Sequence, residues 1–133
     1  MSGDAPREQE VVTIFEAVGG AETFACLVER FYEGVETDPV LRPLYPDDLS
    51  EPKRRLTLFL VQYFGGPQTY SAERGHPRLR MRHLRFPIDQ TARDAWVHQM
   101  TAALATLVLP EQEREEMQRY FADSATFLIN HAG

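Results

Sequence analysis

Residues 21–35 read AETFACLVERFYEGV, and the spacing of their apolar side chains settles the fold class. Phe24, Leu27, Val28, Phe31, Tyr32 and Val35 follow the i, i+3, i+4, i+7, i+8, i+11 series, which places them on one stripe of a helix and nowhere else. Cys26, Arg30 and Glu33 fall beside that stripe on the wet face. A period of 3.6 sustained over three turns cannot be laid into a strand, because alternation would put half of these side chains in water.

The same period governs the remaining segments. EQEVVTIFEAV (8–18) predicts a short helix that Gly19 and Gly20 stop. TDPVLRPLYP (37–46) restarts at the N-cap candidate Asp38 with a proline behind it, but Pro43 and Pro46 limit it to about one turn and leave Tyr45 at its end. SEPKRRLTLFLVQYFGGP (50–67) opens on a cap and an early proline, carries Leu56, Phe59, Leu60 and Tyr63 inward, and closes at Gly65-Gly66-Pro67. Residues 67–77 show no period and predict a long loop, a feature more often functional than idle in a small domain. Pro77 then opens a short helix that ends before Pro87. Asp89 caps a longer one through Trp96, Met100, Ala103, Leu104 and Leu107. Pro110 opens the last, with Met117, Tyr120, Phe121, Ser124, Ala125 and Leu128 on one side. No segment reads as a strand, and the expected class is all-α.

Composition narrows the function. The chain has 133 residues with 43% hydrophobic content, enough for one core and too little for two, so residues 13–133 are expected to form a single domain behind a polar extension at 1–12. A net charge of −6 argues against general affinity for nucleic acid or an anionic membrane. One cysteine, Cys26, cannot close an intramolecular disulfide, and no apolar run reaches the ~20 residues that span a bilayer. MSGDAPREQE carries no hydrophobic signal region, so the expectation is a cytoplasmic protein.

Against that acidic background, RGHPRLRMRHLRF (74–86) stands out, with five arginines around His76 and His83. His98 and His131 are expected at the surface, the first on the far side of its helix from Trp96 and the second at the chain end. His76, held out of helical geometry by Pro77, belongs to a loop. His83 is in phase with Leu79 and Phe86 and should face the interior with them. A lone histidine on an apolar helical face is more often a satisfied core or rim residue than a ligand. Phe31, Tyr32, Tyr45, Leu56, Phe59, Leu60, Trp96 and Met100 form an inward set with several polar aromatic tips, consistent with a plain aromatic core or with a bound polar ligand.

From Phe15 to Asn130 the sequence resembles the group II truncated haemoglobins of bacteria. The resemblance rests on FEAVGGAETFACLVERFYEGV (15–35), DPVLRPLYPDDL (38–49), LFLVQYFGGPQTYSAERGHPRLRMRH (58–83) and RDAWVHQM (93–100). It implies a truncated globin fold, a two-over-two helical sandwich around haem b (iron protoporphyrin IX). His83 resembles the proximal iron ligand, leaving the opposite iron face open. Tyr32, Tyr45 and Trp96 match the distal donors. Phe31, Leu56, Phe59, Leu60 and Met100 look like the apolar cage, while Arg55 and Arg82 are the arginines suited to the two propionates. Phe64 stands where many members have tryptophan, and Pro52 where a small residue is usual, so distal polarity must come from Tyr32, Tyr45 and Trp96.

Such donors imply tight binding and slow release of dioxygen. That suits an oxygen or sulfide sensor-scavenger, or a redox site; peroxidase-like turnover and nitric oxide dioxygenase activity stay open, the latter needing a reductase. Carbon monoxide and nitric oxide are further expected ligands. The rival from another class is a haem-free helical interaction module whose arginine strip meets an acidic partner.

Overall fold

A computed structural model of the chain describes residues 12–84 and 86–131. Its helices are α1 (Ile14–Ala17), α2 (Ala21–Thr37), α3 (Ser50–Tyr63), α4 (Thr69–Arg74), α5 (Leu79–Arg82), α6 (Gln90–Ala105) and α7 (Glu111–Phe127), with a 3-10 turn at Arg42–Leu44 between α2 and α3. No strand occurs among the described residues, and no helix among them is long and apolar enough to cross a membrane. The expected extension at 1–12 lies, apart from Val12, outside the described residues.

Helix α2 is the centre of the arrangement. Its six stripe residues are all buried, and it packs against both α3 and α6. Helix α6 in turn packs against α7, so α2 with α3 and α6 with α7 make the two layers. Between them lies one apolar cluster that includes Phe24, Leu27, Phe31, Leu60, Met100, Leu104, Met117 and Phe121. Gly34 permits the close crossing of α2 and α6, since a Cβ there would collide with the Gln99 side chain. Gln99 instead donates to the Asp38 carboxylate at 2.9 Å, tying the end of α2 to α6.

Local chemistry sets the helix ends. Thr13 and Glu16 form a reciprocal capping box that starts α1 at Ile14, and residues 8–11 of the expected helix lie outside the described residues. Asp89 caps α6 by accepting from the Ala92 amide at 2.8 Å, as its position predicted. At α3 the expected Ser50 cap is displaced by one residue: Leu49 takes the cap position, Ser50 is the first helical residue, and the Asp48 carboxylate accepts from its amide and hydroxyl at 2.9 and 2.7 Å. Asp38 likewise accepts from the amides of Val40 and Leu41, but the short helix begins later, at Arg42.

Three further expectations give way. The stretch 67–77 is not all loop: α4 occupies Thr69–Arg74, held by Gln62, which donates to the Ser71 hydroxyl at 2.8 Å and accepts from its amide at 2.9 Å. A helix of six residues is too short to show a period, and its one buried residue, Tyr70, packs edge-on against Phe59. The helix after Pro77 is also shorter than expected. Arg78 takes a left-handed φ of 46°, α5 spans only four residues, and His83 is its C-cap instead of an interior position. Tyr63, expected inward, is 52% exposed and stacks on Tyr120 with ring centroids 4.0 Å apart.

The Gly65 turn carries the chain from α3 back over α1. Its φ is +110°, and an added Cβ would lie 2.5 Å from the Thr13 Cβ. The neighbouring Phe64 carbonyl accepts from the Phe15 amide at 2.9 Å, so the contact cannot open without losing that bond. Gly65→Ala should therefore destabilise the fold by about 2 kcal/mol, combining the left-handed penalty with the clash, and lower the melting temperature by roughly 6 °C in a thermal scan.

Candidate functional site

The distal residues come together where α2, the 3-10 turn and α6 meet. Phe31 and Tyr32 are consecutive on the α2 stripe and touch edge-on at 5.0 Å. Phe31 faces Trp96 of α6 at 5.2 Å, and Tyr32 meets Tyr45 edge-on at 5.4 Å. Tyr45 reaches them because the 3-10 turn ends at Leu44 and the chain becomes extended. Arg42 holds this corner, donating to the carbonyls of Tyr45, Pro46 and Asp47 at 3.3, 3.0 and 3.1 Å.

The titration behaviour of the two phenols shows how the cluster is wired. Burial drives Tyr32 far above its ordinary value, and the nearness and hydrogen bonding of Tyr45 push the same way, with a small opposing pull from Arg55. Burial also raises Tyr45, to about 12, but hydrogen bonds with Trp96 and Tyr32 pull it back. A hydroxyl that donates is harder to ionise and one that accepts is easier. The indole N–H of Trp96 can only donate, so the Tyr45 oxygen is the acceptor between those two, and the Tyr32 and Tyr45 hydroxyls lie close enough to feel each other.

Leu60 and Met100 are fully enclosed beneath this cluster. Leu44, Tyr45, Leu56, Phe59 and Trp96 pack against the core while keeping one side partly open, so they form an apolar wall with polar tips. Arg55 stands at its rim, 3.7 Å from Glu51 and close enough to act on Tyr32. Pro52 is buried in the first turn of α3, where its missing N–H costs no helical bond. Phe64 is buried against Phe24, Tyr120 and Phe121, an aromatic wedge on the far side of α3 from the distal cluster.

His83 lies apart from this group, half-buried at the end of α5. Its Nδ1 is 2.7 Å from the Leu79 carbonyl oxygen. A carbonyl can only accept, so Nδ1 carries the proton and in the neutral ring Nε2 keeps the lone pair that a metal needs. The Phe86 ring stands 6.4 Å from the imidazole. His76 has no comparable role: its Nδ1 accepts from the Arg78 amide at 3.2 Å and the residue is exposed. His98 and His131 are exposed, as their positions suggested.

The arginine strip is largely occupied with the chain itself. Arg82 donates to the carbonyls of Pro77, Arg74 and His76 at 2.6, 2.9 and 3.3 Å, closing the loop ahead of α5. Arg80 donates to the Phe127 carbonyl at 2.5 Å and lies over the Phe127 ring. Arg74 lies over Tyr70, and Arg85 falls outside the described residues. Asn130 is the participant that sequence reasoning missed. Its amide nitrogen donates to the carbonyls of His83 and Phe86 at 3.1 and 3.0 Å, contacts that no local pattern announces because the partners are 47 and 44 residues away.

These residues suit a haem. One imidazole with its tautomer set by a backbone carbonyl has a ring nitrogen that could hold iron, and a half-open apolar wall with phenol and indole groups could flank a flat apolar ring. Comparison with known proteins points the same way. Residues 13–130 match the bacterial-like globin family. The chain is 41% identical over 116 residues to the group 2 truncated hemoglobin YjbI of Bacillus subtilis, covering 87% of each. It superposes on the hemoglobin of Chloroflexus aurantiacus with a TM-score of 0.89 at 51% identity, covering 91% of this chain and 100% of that one. A truncated haemoglobin structure from Bacillus subtilis matches with a TM-score of 0.85 at 40% identity, covering 90% of this chain and 100% of the other. The chain belongs to the bacterial-like globins and, within them, to the group II truncated haemoglobins.

Proposed function

We propose that this protein holds haem b through Nε2 of His83 and binds dioxygen with slow release, using Tyr45 as the principal distal donor. The observation that carries the reading is the meeting of Tyr32, Tyr45 and Trp96 at one partly open apolar wall, with the Tyr32 and Tyr45 rings 5.4 Å apart and Trp96 held 5.2 Å from Phe31. Haem supplies the iron at which a diatomic ligand binds reversibly. The rest of the work belongs to the chain. Leu79 orients the imidazole; Phe31, Leu56, Phe59, Leu60 and Met100 give the ring a dry seat; Arg55 stands where a propionate could be met. Arg82, with Nε and one terminal nitrogen committed to carbonyls, acts on that side chiefly by shaping the loop.

Donation into a ligand that gathers negative charge strengthens its retention. At ~1.5 kcal/mol for each charge-assisted bond, a pair of donors slows release on the order of a hundredfold. The Bacillus subtilis structure at 40% identity is that of an oxygen-avid haemoglobin, which supports the same behaviour here. Slow release fits scavenging, sensing or redox chemistry better than delivery. Turnover with nitric oxide would draw on a reductase.

Axial ligation is tested by the absorption spectrum of the purified protein, reduced and exposed to carbon monoxide. His83→Ala should lose or alter the haem spectrum and His76→Ala should leave it unchanged; a colourless wild type that takes up no added haem would overturn the reading. Flash photolysis or rapid mixing tests the distal wiring. Tyr45→Phe should speed dioxygen release by about tenfold or more, Tyr32→Phe and Trp96→Phe by a few-fold, and Tyr32→Phe should add almost nothing in the Tyr45→Phe background, because it acts through that hydroxyl.

The phenols also set an alkaline limit. The folded value of Tyr45, about 12, exceeds its ordinary 10.0, so its neutral form is favoured by folding. That stabilisation is complete below the unfolded value and is lost as pH rises from about 10 through 12. Equilibrium unfolding should show a falling stability across that window, parallel to the growth of tyrosinate absorbance, with Tyr45→Phe reducing the fall.

A further inference from the structure

The segment that carries His83 is short of hydrophobic anchorage. Helix α5 has four residues and none is buried, while Met81, Leu84 and Phe86 are 60%, 57% and 37% exposed. A helix of that length has no stability of its own. Something other than apolar burial has to set where the imidazole stands, and hydrogen bonds from the far end of the chain do so.

We propose that Asn130 is the positioning residue of the proximal histidine, a clamp reaching from beyond α7 onto the main chain of residues 83–88. Its side-chain nitrogen donates to His83 O at 3.1 Å and Phe86 O at 3.0 Å, and its side-chain oxygen accepts from the Ile88 amide at 2.9 Å. Its backbone amide and that of His131 both donate to Ile88 O, at 2.8 and 3.1 Å. Every hydrogen of the Asn130 carboxamide is thus spent on the turn that follows the histidine.

The bonds divide the task of holding His83. On the α5 side, the His83 amide donates to Leu79 O and Arg80 O, each at 3.2 Å, and the ring is turned by its Nδ1 bond to Leu79 O. On the other side, the His83 carbonyl accepts from the Phe86 amide at 3.0 Å and from Asn130. The first set orients the ring within the helix. Asn130 ties the histidine to α7 and so to the core, through Met117 and Phe121 of that helix, which are buried. Arg80, donating to Phe127 O, fastens α5 itself to the same end of α7.

An asparagine is suited to this place because one carboxamide both donates and accepts, matching carbonyls at 83 and 86 and an amide at 88. Aspartate has the same shape but no donor, and it would set a charge against two carbonyl oxygens. The inference rests on the assignment of His83 as the haem ligand.

The test is resonance Raman spectroscopy of the ferrous, ligand-free haem protein, with transfer of haem to an excess of a haem-scavenging apoglobin as a second readout. Asn130→Ala and Asn130→Asp should shift or broaden the iron–imidazole stretching band and speed haem loss on the order of tenfold or more, as expected for the loss of three hydrogen bonds in the first and two in the second. Ala125→Gly, which weakens α7 without touching the turn, serves as the comparison and should lower the melting temperature while leaving the band in place. An unchanged band in Asn130→Ala, with haem loss within about twofold of Ala125→Gly, would overturn the clamp while leaving the haem assignment standing. A wild-type protein with no iron–imidazole band would instead overturn the haem assignment and the clamp together.

Discussion

The apolar stripe of α2 has to be covered on two sides at once, and most of the molecule is arranged by that demand. Helix α3 takes one side and α6 the other, and α7 is drawn in behind α6 to close the cluster around Met117 and Phe121. Because Phe31 and Tyr32 are adjacent on the stripe, the same packing that seals Phe31 against Trp96 leaves Tyr32 turned toward Tyr45. The distal group is therefore a continuation of the core rather than an addition to it. This gives its polar tips a rigid setting, which is what electrostatic stabilisation of a ligand requires: donors already in place do not have to reorganise when it arrives.

The opposite side is built on other principles. Where the Tyr32–Tyr45–Trp96 group is secured by buried rings, the segment around His83 is secured by backbone carbonyls and the polar side chains that find them. Arg82 gathers the carbonyls ahead of α5, Leu79 turns the imidazole, and Asn130 gathers those behind it. The concentration of arginines in a chain of net charge −6 suggested a surface for an anionic partner. Two of its arginines, Arg80 and Arg82, instead donate to carbonyls in and around a segment poor in buried side chains. Charge-assisted bonds to carbonyls are stronger than neutral ones, so arginine does this more effectively than an amide would.

How far the sequence could be read follows the range of the interactions involved. The helices α2, α6 and α7 were legible because each is long enough to repeat its pattern, and the Asp89 cap because it acts three residues away. Helix α4 was not, since six residues held by Gln62 from a preceding helix leave no periodic trace. Tyr63 was misread because an aromatic on the stripe side of α3 looks inward until Tyr120 of α7 is seen to offer it a stacking surface outside. His83 was reached by phase with Leu79 and Phe86, although the helix that justified the phase proves to end one residue before it.

The chain's periodicity was enough to establish an all-helical protein with an aromatic, partly polar interior, since burial of a stripe is a local property repeated every three or four residues. Its motifs were enough to suggest a truncated globin. How the polar tips of Tyr32, Tyr45 and Trp96 meet, and what holds His83, depended on contacts between residues 13 and 51 positions apart in the first case and 47 in the second. No local pattern carries those relations, because which polar groups meet is set by where the helices finally bring the two partners.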